Sequence, residues 1–358
     1  MRQVWITRVG PPKVLELREA ADPVPGPGQL RVRVAAAGVN FADILARLGL
    51  YPDAPPLPAV VGYEVAGTVD AVGPGVDAGA SAGDLASSVT PTAPVQPDIA
   101  VGSRVAVLTR FSGYADTVVA PTAQAIRLPD SLSFEQGAAI PLNYVTAWLM
   151  LVHLGGVRAG DRVLVHAAAG GVGQAALQIC RWRGAEVIGT ASAGKHERLL
   201  AAGAAHVIDY RREDFAAAVK RITGGRGVDI ALDGVGGASF RRSYRCLAPL
   251  GRLFMYGISS FAPTKRRSLL AAARGLLALP AFRPIPLMNG NRGVFGINVG
   301  HLWSEAPLLR GMLSDIVDLA AAGALAPVVD RTFPLADAAA AHTYLQERRN
   351  FGKVLLVP

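Results

Sequence analysis

Between Asp161 and Gln174 the chain passes from a short apolar run into a cluster of alanine and glycine. Ala168, Gly170 and Gly173 fall on the G-x-G-x-x-G spacing, with Ala in the first place. Set between a buried strand (Val163–His166) and the start of a helix, such a turn presents backbone N–H groups and a helix N-terminus to a pyrophosphate. Gly170 leaves no side chain in the path of the phosphates, and Gly173 lets the helix lie close on the strand. Gly171 and Val172 complete the turn. Glycine-rich turns also occur for packing alone, but the strand before and the helix after favour dinucleotide binding here. Elsewhere the chemistry-bearing residues are dispersed. The six histidines are scattered, and no Ser/His/Asp or Cys/His pairing points to covalent catalysis.

The elements around this turn repeat. Strand-like runs recur at Val163–His166, Glu186–Thr190, His206–Asp209, Asp229–Leu232, Arg252–Tyr256 and Val294–Asn298, with helical stretches between most of them. Six such units predict a doubly wound parallel sheet. The first part of the chain has a different rhythm. Val4–Arg8, Val14–Arg18, Leu30–Ala36, Tyr63–Val72, Arg104–Leu108 and Ala115–Ala120 are short alternating runs separated by Pro and Gly, with helical spacing over Asn40–Leu48. Residues 77–100, rich in Ala, Ser, Thr, Pro and Asp, predict a flexible surface loop. Leu128-Pro129-Asp130 marks a boundary. Two helical segments (Leu308–Ala322 and Leu335–Arg348) and a strand (Lys353–Val357) follow the sixth unit, and this tail is expected to return to the first domain. The expected division is 1–128 with 299–358, and 129–298.

Composition narrows the function. The chain has 358 residues, 51% hydrophobic and 18% charged, as expected of a soluble folded protein of about two domains. No apolar run is long enough to span a bilayer, and the N-terminal segment reads as a strand without a signal-peptide core. Two cysteines, Cys180 and Cys246, cannot build a disulfide framework or a four-cysteine zinc site, so the expected location is the cytoplasm. The net charge of +9 is spread out and lacks an aromatic-interleaved basic stripe. It favours anionic ligands or surfaces over nucleic acid.

Gly38-Val39-Asn40-Phe41-Ala42-Asp43, Gly62-Tyr63-Glu64-Val65-Ala66-Gly67, Ala167–Gly173 and Gly352-Lys353-Val354 occur in the order found in medium-chain dehydrogenase/reductases. The chain resembles the quinone oxidoreductase branch, which includes zeta-crystallin. Within it, the phrases Leu48–Tyr51, Gly189–Glu197 and Asn350–Pro358 most resemble the vesicle amine transport protein 1 group. The resemblance covers almost the whole chain outside 77–100. It implies an α/β protein with a GroES-like, β-rich catalytic domain and a Rossmann domain, the active site lying in the cleft between them.

Several site residues follow. An NAD-preferring site usually carries Asp or Glu after its second strand, whereas here Ala191-Ser192 follow. Ser192 can donate to a 2′-phosphate and Lys195 can neutralise it. The alternative is a plain helix start with a solvated Lys195. The resemblance adds Tyr210 as a further phosphate contact, Arg348 as a C-terminal arginine reaching the cofactor, and Thr146 as the residue holding the carboxamide. Tyr256, closing the fifth strand, is also assigned to the cofactor. NADPH is therefore the expected cofactor. Where zinc-dependent relatives carry Cys and His, this chain has Asn40 and Tyr63, and no Cys lies before position 180. Asn is a poor zinc ligand and Tyr a rare one, so no metal is expected. Without zinc an alkoxide is hard to stabilise. The expected reaction is hydride transfer to a quinone or α,β-unsaturated carbonyl, with Asn40 beside the nicotinamide and Tyr51 and Tyr63 as candidate donors to the substrate oxygen. Asp43 either braces its loop or takes part. The competing readings are an enoyl-thioester reductase and an NADPH-binding sensor or lipid-associated protein with little turnover.

A homodimer is expected. Lys265-Arg266-Arg267 precede an apolar helical stretch reaching Phe282. Three readings stand for it: a cover over the cleft, a dimer interface, or contact with an anionic membrane surface.

Overall fold

The computed structural model describes residues 1–76, 99–262 and 268–358. Almost all of the expected 77–100 loop, and Lys265-Arg266-Arg267 with the membrane reading built on them, lie outside the described residues.

The chain opens with strands β1 (Arg2–Ile6), β2 (Leu15–Glu19) and β3 (Gln29–Val39), then helix α1 (Phe41–Arg47). Strands β4 (Ala59–Val60), β5 (Glu64–Val72), β6 (Arg104–Leu108), β7 (Thr117–Pro121) and β8 (Ala125–Arg127) follow, leading to helices α2 (Phe134–Ala139) and α3 (Pro141–Trp148). A regular alternation begins with β9 (Arg162–Val165), α4 (Gly171–Arg183), β10 (Glu186–Ala191), α5 (His196–Ala201) and β11 (His206–Asp209). It continues through α6 (Phe215–Ile222), β12 (Val228–Asp233), α7 (Ala238–Arg245) and β13 (Leu247–Met255). Two helices, α8 (Leu269–Leu277) and α9 (Pro284–Gly290), intervene before β14 (Gly293–Gly296). The chain finishes with α10 (Ala306–Ala321), β15 (Val329–Pro334), α11 (Ala338–Gln346) and β16 (Lys353–Val357).

Strands β9 to β14 form one parallel sheet in the order β11-β10-β9-β12-β13-β14. The order reverses beside β9, so the carboxyl ends of β9 and β12 open a crevice there, the usual ligand position in a doubly wound sheet. The sixth strand is shorter than its hydrophobic run suggested. It ends at Gly296; Ile297 N still donates to Met255 O of β13 at 2.9 Å, and Asn298 begins the turn at Val299–His301.

The β-rich part pairs β15-β16-β3-β5-β6-β8, with β7 also on β3. β16 lies antiparallel to β3, so the tail joins the strands from the start of the chain. Its hydrogen bonds also reach the nucleotide-type fold: Gly352 N donates to Ala169 O at 2.8 Å. The same strand thus touches both sheets at the crevice. Helix α10 is amphipathic, and it buries Leu309, Met312, Leu313, Ile316 and Val317 in a cluster shared with α3, α4 and the parallel sheet. That packing holds α3, which carries Asn143 and Thr146, against the crevice. Ile316→Ala, in a fully buried position, is expected to cost about 2–5 kcal/mol. Urea unfolding followed by circular dichroism should show a lower midpoint.

Candidate active site

The crevice is a single large cleft of about 1320 Å³. That exceeds the few hundred to about 1,000 Å³ of an ordinary small-ligand pocket and suits a dinucleotide together with a second molecule. Its floor is the turn after β9. Gly170 caps α4, whose first N–H groups face the cleft. Two glycines are dictated by contact. A Cβ on Gly173 would lie 2.5 Å from the Ala167 and Ala168 carbonyl oxygens, and one on Gly171 would lie 2.4 Å from the Asn143 amide. Gly170, Gly171, Val172 and Gly173 line the cleft, as do Thr146 and Tyr256. Ala168 does not belong with them. Its side chain turns into the core, against Gly189, and is 1% exposed. The first place of the motif therefore serves the approach of β9 and β10 rather than a ligand.

At one end of the cleft the basic residues converge. Ser192, Lys195, Tyr210 and Arg348 all line it, although 156 positions separate the first from the last. Lys195 Nζ donates to the carbonyls of Arg348 (2.7 Å) and Asn350 (2.5 Å), which holds the ammonium in place and leaves one N–H for a ligand. Arg348 Nη1 donates to Tyr210 Oη at 3.3 Å. Burial alone would raise the Tyr210 phenol, but the Arg348 and Arg211 guanidiniums outweigh it and its pKa lies below the ordinary value. A pocket with this much positive potential fits a phosphate group. The residues present therefore fit a dinucleotide carrying a 2′-phosphate.

At the other end stand Asn40, Tyr51 and Tyr63. Asn40 precedes α1, where Asp43 Oδ2 accepts its backbone N–H at 2.8 Å in the manner of a capping box. Its side-chain amide is bound on both faces. Nδ2 donates to Glu64 Oε1 at 2.9 Å, and Oδ1 accepts from Lys353 Nζ at 2.6 Å. Lys353 also forms a short ion pair with Glu64, and Glu64 Oε2 accepts from Leu142 N at 2.6 Å. Glu64 is wholly buried and Lys353 nearly so. This arrangement answers whether a catalytic zinc fits. The amide oxygen is already held by an ammonium, a fixed positive charge stands where a cation would need room, and no cysteine lies nearby. The donor set does not suit the metal. Among the described residues no group of three or more His, Cys, Asp or Glu could hold one.

Tyr51 and Tyr63 pack with their rings edge-on, the centroids 6.3 Å apart. Burial raises both phenols. Both hydroxyl-bearing side chains line the cleft together with Asn298.

Asp43 lies outside the cleft and braces the loop. It accepts from Asn40 N, from Gly62 N at 3.1 Å and from Tyr114 Oη at 3.1 Å. Burial nevertheless pushes its carboxyl up to about 7. Glu64 and Lys353 were missed as site residues by sequence reasoning although both stand in the family phrases. Asp53 and His301, also in the cleft wall, carried no local signal. Helix α8 lines the cleft through Ala271, Arg274 and Gly275, so it does cover part of the opening.

Comparison with known proteins agrees with this geometry. Residues 26–130 match the alcohol dehydrogenase GroES-like domain, and residues 202–356 match the zinc-binding dehydrogenase family. The human synaptic vesicle membrane protein VAT-1 homolog is 40% identical over 345 residues, spanning 96% of this chain and 82% of that protein. A quinone oxidoreductase of Pseudomonas aeruginosa is 34% identical over 359 residues, spanning 100% of this chain and 99% of its own. Among solved structures, Escherichia coli quinone oxidoreductase complexed with NADPH is similar at 31% identity and a TM-score of 0.83, covering 100% of both chains.

Two outcomes test the site's electrostatics. Lys353→Met strands the buried Glu64 carboxylate and should destabilise the protein by about 3–5 kcal/mol, most of it recovered by adding Glu64→Gln. For Asp43, a folded-state pKa of about 7 lies above the ordinary 3.8. Its protonated form therefore favours folding, a contribution present below pH about 4 and lost as pH rises through about 7. Asp43→Asn should flatten that decline in urea unfolding measured from pH 4 to 8.

Proposed function

Because the chain belongs to the medium-chain dehydrogenase/reductase family, in its quinone oxidoreductase branch near the VAT-1 homologues, we propose that it is a zinc-independent, NADPH-dependent reductase of quinones or α,β-unsaturated carbonyls. The observation that carries this reading is the Asn40–Glu64–Lys353 cluster in the same cleft as the glycine-rich turn. The Asn40 amide oxygen and the Glu64 carboxylate are both engaged by the Lys353 ammonium, which supports a site that works without zinc. Lacking a Lewis acid to hold an alkoxide, the site suits an acceptor that spreads the incoming charge over a conjugated carbonyl.

Ser192, Lys195, Tyr210 and Arg348 would hold the 2′-phosphate, the turn at Gly170–Gly173 the pyrophosphate, and Thr146 and Tyr256 the nicotinamide end. When bound, NADPH supplies the hydride. The chain's own residues do the rest. Asn40, immobilised by Glu64 and Lys353, orients the reacting ring. The Tyr51 O–H donates a hydrogen bond to the substrate oxygen as negative charge develops there, and the edge-on packing of the Tyr63 ring holds it in place. A raised phenol pKa suits a group that stabilises charge while keeping its own proton. Ala271 and Gly275 of α8 border the same cleft. Its volume of about 1320 Å³ is large enough to keep an enoyl thioester as the second reading.

The outer edge of β14 has no strand partner among the described residues, and the preceding α8 and α9 expose Leu276, Leu277, Ile285 and Met288. A second copy would cover both, and we propose a cytoplasmic homodimer. Sedimentation at the monomer mass across micromolar concentrations would refute the dimer.

NADPH should bind more tightly than NADH, and Lys195→Ala should weaken NADPH by about 10–100-fold while leaving NADH nearly unchanged, as expected for one charge-assisted contact. Fluorescence titration of both cofactors checks this, and equal affinities for wild type would overturn it. NADPH oxidation by simple quinones should persist in chelator. Turnover with crotonyl thioester but not with quinones would favour the second reading.

A further inference from the structure

Reduction of a conjugated carbonyl needs a proton as well as a hydride, and the residues discussed so far do not release one readily. Tyr51 and Tyr63 hold their protons above the ordinary phenol range. Lys353 is engaged by Glu64 and Asn40. Arg274 also lines the cleft, but a guanidinium does not deprotonate in proteins. Lys195 and Tyr210 stand at the phosphate end.

One titratable pair remains in the wall of the substrate end. His301 Nε2 lies 2.8 Å from Asp53 Oδ2. The two come from opposite sides of the cleft. Asp53 follows α1 in the β-rich part, and His301 ends the turn after β14. Asn298 secures the pair, since its Nδ2 donates to Asp53 Oδ2 at 3.2 Å. Its Oδ1 accepts from Gly300 N at 3.0 Å, which shapes the turn that presents His301. The imidazole is 62% exposed, so it can exchange protons with water, while Asp53 is 27% exposed.

Resting on the proposed reduction, we infer that His301, oriented by Asp53, is the acid that protonates the substrate oxygen. An imidazole is the one side chain whose ordinary protonation change falls between pH 5 and 8, which suits a proton donor near neutrality. Nε2 faces the Asp53 carboxylate at 2.8 Å, so the other ring nitrogen makes the transfer. The balance is complete. The substrate carbon gains a hydride with its electron pair from the reduced nicotinamide. The substrate oxygen takes the proton from the imidazolium as its N–H bond breaks. Neutral imidazole then recovers a proton from water. Asp53 is a positioning residue, held in turn by Asn298. Apart from Lys195, Tyr210 and Arg348 at the phosphate end, the charged and titratable groups lining the cleft with His301 are Asp53, Tyr51, Tyr63, Tyr256, Lys353, Arg274, His166 and Arg242.

His301→Gln keeps a polar N–H-bearing side chain beside Asp53 but cannot titrate. With a quinone that wild type reduces, its kcat at pH 7 should fall about 100-fold, within the range for loss of a general acid. KM and NADPH affinity should stay within about twofold. The falling limb of the wild-type profile at high pH should disappear, and added imidazole should restore part of the rate. Independently of turnover, ¹⁵N NMR of the NADPH-free protein should show the His301 Nε2 resonance moved in Asp53→Asn, as expected of a ring nitrogen held 2.8 Å from that carboxylate. An unchanged pH profile without imidazole rescue would overturn the assignment of His301. An Nε2 resonance indifferent to Asp53→Asn would overturn the role of Asp53. Wild type that oxidises NADPH with no quinone, enone or enoyl thioester would instead overturn the underlying reduction, and this inference with it.

Discussion

The buried ion pair between Lys353 and Glu64 is the contact on which the rest of the site depends. Two charges out of water are tolerable only when every lone pair and proton finds a partner. Here Glu64 accepts from Lys353, from the Asn40 amide and from the Leu142 backbone, and Lys353 spends a second N–H on Asn40. Those partners sit on β5, β16, the start of α1 and the start of α3. Satisfying one buried carboxylate thereby sets the relative position of four elements, and three of them (α1, α3 and β16) wall the cleft. The adjoining residue Gly352 is bonded to the glycine-rich turn, so the same strand carries this constraint to the nucleotide end.

The cleft is electrically divided. One end gathers Lys195, Arg348 and Arg211 around Tyr210. The other presents phenols, amides and an internally neutralised lysine. A polyanionic ligand is drawn to the first end, and a neutral conjugated molecule suits the second. The reading of a reductase comes from this division as much as from the glycine-rich turn, since many folds use such turns for unrelated chemistry.

Much of this was legible in the sequence because much of it is local. The turn at Ala168–Gly173 is a contiguous strand-to-helix junction, and the parallel sheet follows from six repeats of one rhythm. The edges of that reading failed where contact overrides pattern. Ala168 holds a motif position but faces the core, and the sixth strand stops at Gly296 because Asn298 is used in a turn. Glu64 and Lys353 could be read as letters of family phrases but not as partners, since nothing local announces a contact across 289 positions. Asp53 and His301 pose the same difficulty, being neighbours only after two units close on each other. Asp43 could be weighed only when its burial and its three donors were visible.

The order of these residues along the chain matters for biosynthesis. Lys353 emerges from the ribosome 289 residues after Glu64. At usual elongation rates of about 5–20 residues per second, that is about 15–60 s. Throughout that interval the carboxylate has no counter-charge to be buried with, and β3 lacks its neighbour β16. Until then the first β-rich segment cannot complete its native pairing along β3, and burying Glu64 would leave a carboxylate without the lysine that neutralises it.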